Sequence, residues 1–495
     1  MSNRRELQGT DSSWTSSLAD ALQQNLQLED KLRRDENETP QARLQRMLST
    51  RSVISTSSSF AERQQAAIGS RNPFREIGVG SIGKVFEQPG TPWAFKVLLI
   101  DRTEKLWNNY VMHLRIQQSF DKLGEIPGLV EIPRVAWFAD KDSEFWPENL
   151  HLFPNETGFP RQAREVMCME RVFPLPQPVR NALIELFCNP INAPAAKNDP
   201  LNKDCLIRLF LGRKRVGTSR PGGSMFFSLR NYKLHADQIQ ELQLDADEYA
   251  RNMADALAVL HWHTNIDTMD LEFVLGSSPF DQNAVRRQMR LPDIERLRPG
   301  TSTFEHTTNA SLNFKKRIVS LWLIDFDACA PITMNAAGVQ QAAKAFMEND
   351  PYYPRPFSND TYMENLSRIF SQRYVETGKK ITIGSSQGLP AQFVQEVVKR
   401  FSQRSQSSRS GDLQAAATSS ASAGRGQQPS YQRGGPVGGQ SRRGHGGQRG
   451  TTGGTGQSAR GRTPTPQNRG TRDQGPTADE PASPRTPRGR GHGRR

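Results

Sequence analysis

Ile77–Val97, with the sequence IGVGSIGKVFEQPGTPWAFKV, contains the most informative pattern of the chain. The three glycines of its first half are Gly78, Gly80 and Gly83. Val85 follows them in an apolar run, and after a Gln-Pro-Gly turn a second apolar run carries Lys96. Apolar runs separated by Gly and Pro predict three successive strands, with a glycine-rich turn between the first two.

Spacing separates three kinds of glycine-rich turn. A P-loop has Gly-Lys-Ser/Thr at the start of a helix, whereas Lys84 is followed by Val85 and Phe86. A dinucleotide-binding turn also leads into a helix, and here a strand pattern follows. The kinase-type turn joins two strands and has its lysine on the next strand, which fits Lys96. In such a turn, backbone N–H groups approach phosphates without hindrance from a Cβ atom. An ordinary tight hairpin is the alternative.

The segment after Lys96 has the apolar spacing of a helix over Asp101–Leu123. Protein kinases pair the strand lysine with a glutamate of this helix. The middle of the predicted helix instead offers Asn108 and Asn109, and its only glutamate, Glu104, stands near its start. Either Glu104 forms the ion pair with Lys96, or an amide or a water molecule takes the place of the glutamate.

Glu165–Val172 is predicted to be a buried strand. In kinase-like proteins such a strand leads to a backbone edge that recognises adenine. In that interpretation Met169 lies behind the adenine pocket, and the backbone from Glu170 to Val172 faces the base. A plain core strand is the alternative.

Two acidic stretches supply candidate catalytic and metal-binding carboxylates. In the first, Glu272 stands five residues after Asp267, which is the spacing between the base and the metal-binding asparagine of the kinase catalytic loop. Asp267 is therefore the candidate base, with a capped surface turn as the alternative. Glu272 stands where the asparagine is expected, and a carboxylate can still bind Mg²⁺, which prefers oxygen ligands.

The second acidic stretch is Ile318–Ala328, in which an apolar run ends in Asp325-Phe326-Asp327. A carboxylate at the end of a buried strand needs a compensating charge, and a metal ion supplies one. The position matches the Asp-Phe-Gly motif of kinases, with Asp327 in place of the glycine. Asp325 is therefore the candidate ligand for the Mg²⁺ of a Mg-ATP complex.

The basic charge of the chain is concentrated in its last residues. Phe401–Arg495 holds 16 arginines, no lysine and 4 acidic residues, a net charge of 16 − 4 = +12 out of +14 for the whole chain. It also holds 20 of the 39 glycines and few large apolar residues. Such a composition buries too little apolar surface to offset the entropy of ordering, so we expect a disordered tail.

Arg-Gly steps recur through this tail between Arg425 and Arg490. Arginine binds phosphates bidentately and stacks on bases, while glycine keeps the chain pliable. The tail is therefore expected to bind RNA. A solvated tail with incidental affinity for polyanions is the alternative.

The cysteines are scattered and form no Cys-x-x-Cys pair: Cys168, Cys188, Cys205 and Cys329. This argues against a zinc site and against a disulfide framework, and it is typical of a reducing compartment. The sequence shows no signal-peptide pattern, and no stretch approaches 18 consecutive apolar residues. We therefore expect an intracellular protein, nuclear or cytoplasmic, that does not cross a membrane.

Several of these stretches resemble an uncharacterised fungal family whose members are often labelled zinc finger proteins and carry a domain of unknown function. The resemblance rests on Gly78–Val85, Lys96, LWNNYVMH (Leu106–His113), IDTMDLEFVLG (Ile266–Gly276), LIDFDAC (Leu323–Cys329) and NDPYYPRP (Asn349–Pro356). It covers about residues 70–400 and implies a fungal origin, but no established activity. The kinase-like interpretation comes from the residues themselves.

Together these patterns predict an α+β, two-lobed fold like that of protein kinases. We expect an antiparallel β N-lobe at about 71–172, a mainly helical C-lobe at about 173–402 and an insertion at about 277–316. Residues 1–70 are expected to form a disordered or partly helical leader, with an amphipathic helix at Ser16–Arg34, and residues 403–495 the disordered tail.

Three functions stay open at this point. The first is a divergent or catalytically silent nucleotide-binding protein that serves an unknown protein partner. The second is an active Mg-ATP-dependent phosphotransferase, and the third is an RNA-associated scaffold in which the tail acts. The missing glycine, the missing asparagine and the uncertain helix glutamate favour the first.

Overall fold

The computed structural model describes residues 38–49, 53–55, 59–99, 102–123, 130–215, 227–279, 291–305, 314 and 316–405. The predicted helix at Ser16–Arg34 and nearly all of the Arg/Gly-rich tail lie outside these residues. RNA binding by the tail therefore stays a prediction. Within the described part of the chain, no helix is long and apolar enough to span a membrane.

The described chain is an α+β protein, as the sequence predicts. Its strands are β1 (Val53–Ser55), β2 (Arg75–Val79), β3 (Gly83–Glu87), β4 (Trp93–Leu98), β5 (Val130–Glu131), β6 (Val135–Ala139), β7 (Val166–Glu170), β8 (Ile207–Phe210), β9 (Tyr232–His235), β10 (Glu272–Pro279) and β11 (Lys316–Ile324). Its α-helices are α1 (Pro40–Leu48), α2 (Ser59–Ala66), α3 (Thr103–Lys122), α4 (Phe145–Asn149), α5 (Gln177–Phe187), α6 (Ala193–Asn198), α7 (Ala236–Glu241), α8 (Ala246–Trp262), α9 (Leu291–Ile294), α10 (Ala336–Glu348), α11 (Thr361–Ile381) and α12 (389–405). β10 and β11 extend into both ends of the predicted insertion at 277–316.

Five strands form a wholly antiparallel sheet in the order β2-β3-β4-β7-β6. β2 and β3 flank the glycine-rich turn, and β4 carries Lys96, as predicted. Successive side chains of a strand point to opposite faces, so each face has its own apolar cluster. One cluster is aromatic and contains Phe95 and Trp137. The other cluster packs against α3, where the Trp107 ring centroid lies 5.2 Å from that of Phe138.

The second sheet has the order β1-β11-β10-β8-β9, with β5 beside β11. β10 and β11 form a long antiparallel pair, while the β5–β11 and β8–β9 pairs are parallel. α8 is buried on nearly all sides and packs along α11 at the centre of the helical part. Because β11 ends at Ile324, this sheet delivers Asp325 to the edge that meets the first sheet.

Residues 38–49, 53–55 and 59–68 contact both sheets or the helical core, and we call them the N-terminal brace. The side chains that α1 buries in the helical core are Leu44, Met47 and Leu48. β1 pairs with β11. α2 meets the turn between β3 and β4, where Gln64 Oε1 accepts from the Gly90 N–H (2.6 Å) and Gln64 Nε2 donates to Glu87 (2.9 Å). A segment that the sequence analysis assigned to a leader therefore belongs to the folded body.

Phe60 of the N-terminal brace lies between two buried arginines. Its ring centroid is 5.1 Å from the guanidinium carbon of Arg171, which follows β7, and 5.1 Å from that of Arg317 in β11. Arg171 also pairs with Glu87 of β3 and with Asp204 (3.3 Å). The brace is thus fixed where the chain passes from the first sheet to the helical part.

Candidate functional site

The glycine-rich turn is a tight connection between β2 and β3. The Gly80 N–H donates to the Gly83 carbonyl at 2.8 Å. A Cβ atom on Gly83 would lie 2.6 Å from the Val97 carbonyl oxygen, so only glycine lets β3 approach β4 here. Val85 is the register partner of Lys96 in β4. The strands therefore bring the turn, the valine and the lysine together.

Lys96 is buried, and its ammonium group contacts two carboxylates that follow β11. Nζ lies 2.8 Å from Asp325 Oδ1 and 3.3 Å from Asp327 Oδ2. Burial alone would lower the pKa of Lys96, but the charges of Asp325 and Asp327 and their hydrogen bonds outweigh it and raise the pKa. The lysine is therefore charged, and it lies against the residue predicted to bind metal.

Two asparagines of α3 lie beside Lys96 and Asp327, where the kinase-like interpretation expects a glutamate. With its amide oxygen facing the donors, Asn109 accepts from Lys96 Nζ (3.2 Å) and from the Asp327 N–H (3.2 Å). Asn108 Nδ2 donates to the carbonyls of Asp327 (3.0 Å) and Cys329 (2.9 Å). Glu104 is exposed at the start of the helix. Of the alternatives that the sequence left open, the amide is the one observed.

The Asp325-Phe326-Asp327 turn has a constrained backbone. Asp325 has a φ of 66°, in the left-handed region that residues other than glycine seldom adopt. Phe326 is buried, and its ring centroid lies 4.8 Å from that of His113 in α3. Burial lowers the pKa of His113 to about 4, so this imidazole is neutral near pH 7. Strained residues that their surroundings hold in place are common at functional sites.

Asp267, the predicted base, is hydrogen-bonded through both carboxylate oxygens. Oδ1 accepts from the N–H groups of Ala330 (2.9 Å) and Met269 (3.2 Å). Oδ2 accepts from Gln341 Nε2 of α10 (2.8 Å), and the residue is only 4 % exposed. The side chain therefore ties the loop after α8 to the segment after Asp327 and to α10.

Glu272, the second predicted metal ligand, lies in an ion pair. Its Oε1 is 2.8 Å from an Arg208 guanidinium nitrogen in β8. Burial raises the pKa of Glu272 to about 7; Arg208 opposes this shift, and the charges of Asp325 and Asp270 add to it. The carboxylate is therefore close enough to the Asp325 region to respond to its charge.

Asp270 is the exposed carboxylate of this region. Its φ is 58°, and the Asn349 side chain holds the loop by accepting from the Asp270 N–H (2.7 Å) and donating to the Thr268 carbonyl (2.9 Å). Partial burial raises the pKa of Asp270, and the charges of Asp325 and Asp327 add to the rise. The loop thus presents a carboxylate towards the Lys96–Asp325 pair.

The charges around this pair do not balance. Four carboxylates (Asp270, Glu272, Asp325 and Asp327) interact with three cations (Lys96, Lys105 and Arg208), a formal sum of −4 + 3 = −1 when all are ionised. Magnesium in nucleotide sites is held by one or two carboxylates together with phosphates, rather than by a complete protein cage. Since the described residues hold no group of three or more side chains placed to bind one metal ion, a Mg²⁺ ion here would need phosphate oxygens in addition to Asp325 and a neighbouring carboxylate.

The segment after β7 leaves one stretch of backbone open. Met169 is partly buried against the α3 cluster. The Glu170 N–H donates to the Arg134 carbonyl (2.7 Å), and Phe173 exchanges two hydrogen bonds with Ser277. Between them, the Val172 backbone makes no hydrogen bond to any described residue. The N–H and the carbonyl group of Val172 are therefore available at the position where the kinase-like interpretation expects adenine.

The described residues contain no group of three or more His, Cys, Asp and Glu side chains placed to hold one metal ion. The four cysteines are free and buried, and burial raises the pKa of Cys205 to about 12, which disfavours the thiolate that binds zinc.

With the geometry in place, the chain can be compared with known proteins. A family model described as "Zinc finger protein" matches residues 321–386. The family is a domain of unknown function, and the match runs from β11 past the end of α11, which confirms the predicted resemblance over these residues. It includes Asp325 and the NDPYYPRP run, while the fungal origin stays a prediction. The curated proteins contain no match to this chain.

Sequence reasoning did not identify the side chains that fix the acidic residues. These are Arg208 beside Glu272, Gln341 beside Asp267 and Asn349 beside Asp270. Each comes from an element distant in the chain, so no local spacing points to the pair. The one available signal was the NDPYYPRP run, which begins with Asn349.

Proposed function

We propose that this protein is a kinase-like, Mg-ATP-binding protein of a divergent kind, in which phosphoryl transfer is weak or lost. The observation that carries the proposal is the ion pair between Lys96 and Asp325 beside a glycine-rich strand turn. Kinases bring the same two residue types together at the phosphates of ATP. The antiparallel sheet followed by a mainly helical part supports the two-lobed interpretation.

The adenine end of the proposed site is the segment after β7. The free N–H and carbonyl of Val172 supply one donor and one acceptor for the edge of the base. Val85 of β3 supplies apolar surface for its face, and Met169 closes the back of the pocket. Pockets for cofactors commonly combine apolar walls with a few polar backbone groups in this way.

The phosphate end lies on the same face of this sheet, at Lys96 and the glycine-rich turn. Lys96 would bind phosphate oxygens, and the glycine-rich turn would cover them with backbone N–H groups. Asp325 would hold Mg²⁺, and its 32 % exposed side chain is accessible for that role. Magnesium neutralises the charge of the phosphates when it is bound.

Three features favour a divergent protein over an efficient kinase. Both oxygens of Asp267 already accept hydrogen bonds, so this carboxylate is poorly placed to take a substrate proton. Glu272 is paired with Arg208. Asp327 stands in place of a flexible glycine and also contacts Lys96.

An active phosphotransferase is the second candidate, and Asp270 favours it. This carboxylate is exposed and interacts electrostatically with Asp325 and Lys96. If transfer occurs, Asp270 is therefore better placed than Asp267 to accept the proton of a substrate hydroxyl.

Calorimetry of the full chain with ATP, with and without Mg²⁺, tests the proposal. Asp325→Asn keeps the size of the side chain and removes its charge, so the Mg-dependent part of the affinity should fall by about tenfold or more. Asp237→Asn, a matched change outside the site, should bind like the wild type. Unchanged Mg-dependent affinity in Asp325→Asn would reject the metal role.

Transfer of labelled γ-phosphate separates the two candidates. The divergent protein is expected to show no transfer above background. Transfer that Asp270→Asn abolishes and Asp267→Asn retains would establish the second candidate instead.

A further inference from the structure

A cavity of about 490 Å³ lies on the helical part, and none of the proposed nucleotide-site residues lines it. Its walls come from the segment after β8, the segment between α10 and α11, and the end of α12. Its volume falls in the range of natural ligand pockets.

The cavity carries an excess of positive charge. Arg213, Lys214, Arg355 and Arg404 line it, and Asp360 is its one acidic lining residue. Asp360 pairs with Lys214, and Asp350 pairs with both Arg355 and Arg404. Counting these six residues gives +4 − 2 = +2. Arg213 is exposed and forms no ion pair within the described part of the chain. The Arg213 guanidinium group is therefore available to bind an anion.

Phe357, on the same cavity, has two unfavourable features. Its φ is 62°, in a region that suits glycine, and its side chain is 60 % exposed. Neither the backbone conformation nor the exposed ring stabilises the free protein. Such strain is characteristic of ligand-binding positions, and exposed aromatic side chains commonly anchor partners.

The remaining wall is apolar. Met363 is 5 % exposed and Phe401 is 7 % exposed, so they form a fixed floor beneath the charged groups. The cavity therefore offers cations, an apolar floor and an aromatic edge within one site. A ligand that uses all three has an anionic group next to apolar side chains.

We propose that this cavity binds a phosphorylated peptide. A phosphate carries up to two negative charges, which matches the excess of two positive charges, and guanidinium groups bind it bidentately. Arg213 and Arg404 receive the phosphate, and Phe357 packs against an apolar residue beside it. This site is independent of the proposed nucleotide site, so either can fail without the other.

The test uses the full chain and a fluorescein-labelled nonapeptide with one phosphothreonine between leucines. The phosphorylated peptide should bind about tenfold more tightly than the unphosphorylated one. Arg213→Ala and Arg404→Ala should each weaken binding by about fivefold or more. Arg368→Ala, which changes an exposed arginine of α11 outside the cavity, is the matched control and should bind normally.

The Phe357→Gly variant distinguishes a loss of peptide affinity from a loss of protein stability. Glycine accepts the left-handed backbone, so thermal stability should be unchanged or increased, while peptide affinity should fall by about fivefold or more. Equal affinity for both peptides overturns the proposal. Normal binding by Arg213→Ala would also overturn it. The proposal would likewise be overturned if an RNA oligonucleotide displaced the labelled phosphopeptide at a lower concentration than the unlabelled phosphopeptide does.

Discussion

At the scale of single residues, Asn109 changes the electrostatics of the lysine site. A glutamate there would add a charge to a region that already holds several carboxylates. The amide oxygen instead accepts from Lys96 and from the Asp327 N–H without adding charge. Lys96 is therefore held by α3 and remains directed at Asp325.

Asn109→Leu tests this role. Leucine has a similar size but no acceptor, so it leaves the buried Lys96 and Asp327 N–H groups without this partner. We expect the free energy of unfolding to fall by about 1–3 kcal/mol in urea denaturation. Asn198→Leu at the surface is the control, expected within about 0.5 kcal/mol of the wild type. A loss at Asn109 no larger than the control would contradict the assigned contacts.

Two buried histidines give stability a defined pH dependence. Burial lowers the pKa of His261 to about 3 and that of His113 to about 4, while an unfolded histidine titrates near 6.5. Below pH 6.5 the unfolded chain therefore binds more protons than the folded one. The free energy of unfolding should fall by up to about 1.4 kcal/mol per pH unit for each histidine as the pH decreases towards the folded pKa.

The His261→Gln variant isolates one of these contributions. Urea unfolding between pH 6.5 and 4.5 should show a slope shallower than that of the wild type by about 1.4 kcal/mol per pH unit. The exposed His151→Gln variant controls for the loss of a histidine as such. Identical slopes for His261→Gln and the wild type would contradict the buried, neutral state of His261.

Some residues of the candidate site could be predicted from the sequence, whereas the surroundings of others could not. Lys96 and Asp325 were identified because each lies at a fixed distance from a local pattern, the glycine-rich turn or the end of an apolar strand. The surroundings of Asp267 could not be predicted, since its partner Gln341 lies 74 residues away. Packing of α10, and not local spacing, brings the two together.

At the scale of elements, the β2–β3 turn depends on one glycine more than on the others. A Cβ atom on Gly83 would come within 2.6 Å of a backbone oxygen, whereas one on Gly78 would make an ordinary 3.6 Å contact with Val85. Gly83→Ala should therefore force the strands apart and lower the melting temperature, while Gly78→Ala should leave it nearly unchanged. Thermal unfolding followed by circular dichroism measures both. Equal melting temperatures for the two variants would contradict the strand packing.

Elements with strong local patterns were predicted well. The helix expected over Asp101–Leu123 is α3 (Thr103–Lys122), and the strand expected over Glu165–Val172 contains β7 (Val166–Glu170). The folded role of α1 was not predicted, because its short apolar face gains stability only against distant residues of the helical core. Tertiary packing, not helix propensity, accounts for this element.

At the scale of the whole molecule, the N-terminal brace connects the two sheets. Phe60 contacts Arg171 and Arg317, which belong to different parts of the fold. Phe60→Ala removes the ring and leaves a cavity beside two buried charges, so the free energy of unfolding should fall by about 3–5 kcal/mol. Phe60→Leu keeps most of the apolar volume and should lose less. Urea denaturation that shows no more than about 1 kcal/mol of loss in Phe60→Ala would contradict the bracing role.

The proposed function makes one claim for the whole molecule: Mg-ATP binds beside Lys96 and Asp325. Calorimetry of Mg-ATP with the full chain, Lys96→Ala and Lys197→Ala tests this claim. Lys197 of α6 lies outside the proposed site and pairs with Glu185 (2.7 Å), so its removal controls for the loss of one charge. We predict binding by the wild type and by Lys197→Ala, and a loss of about tenfold or more in Lys96→Ala. No binding by the wild type, or equal affinity of the two variants, would contradict the claim.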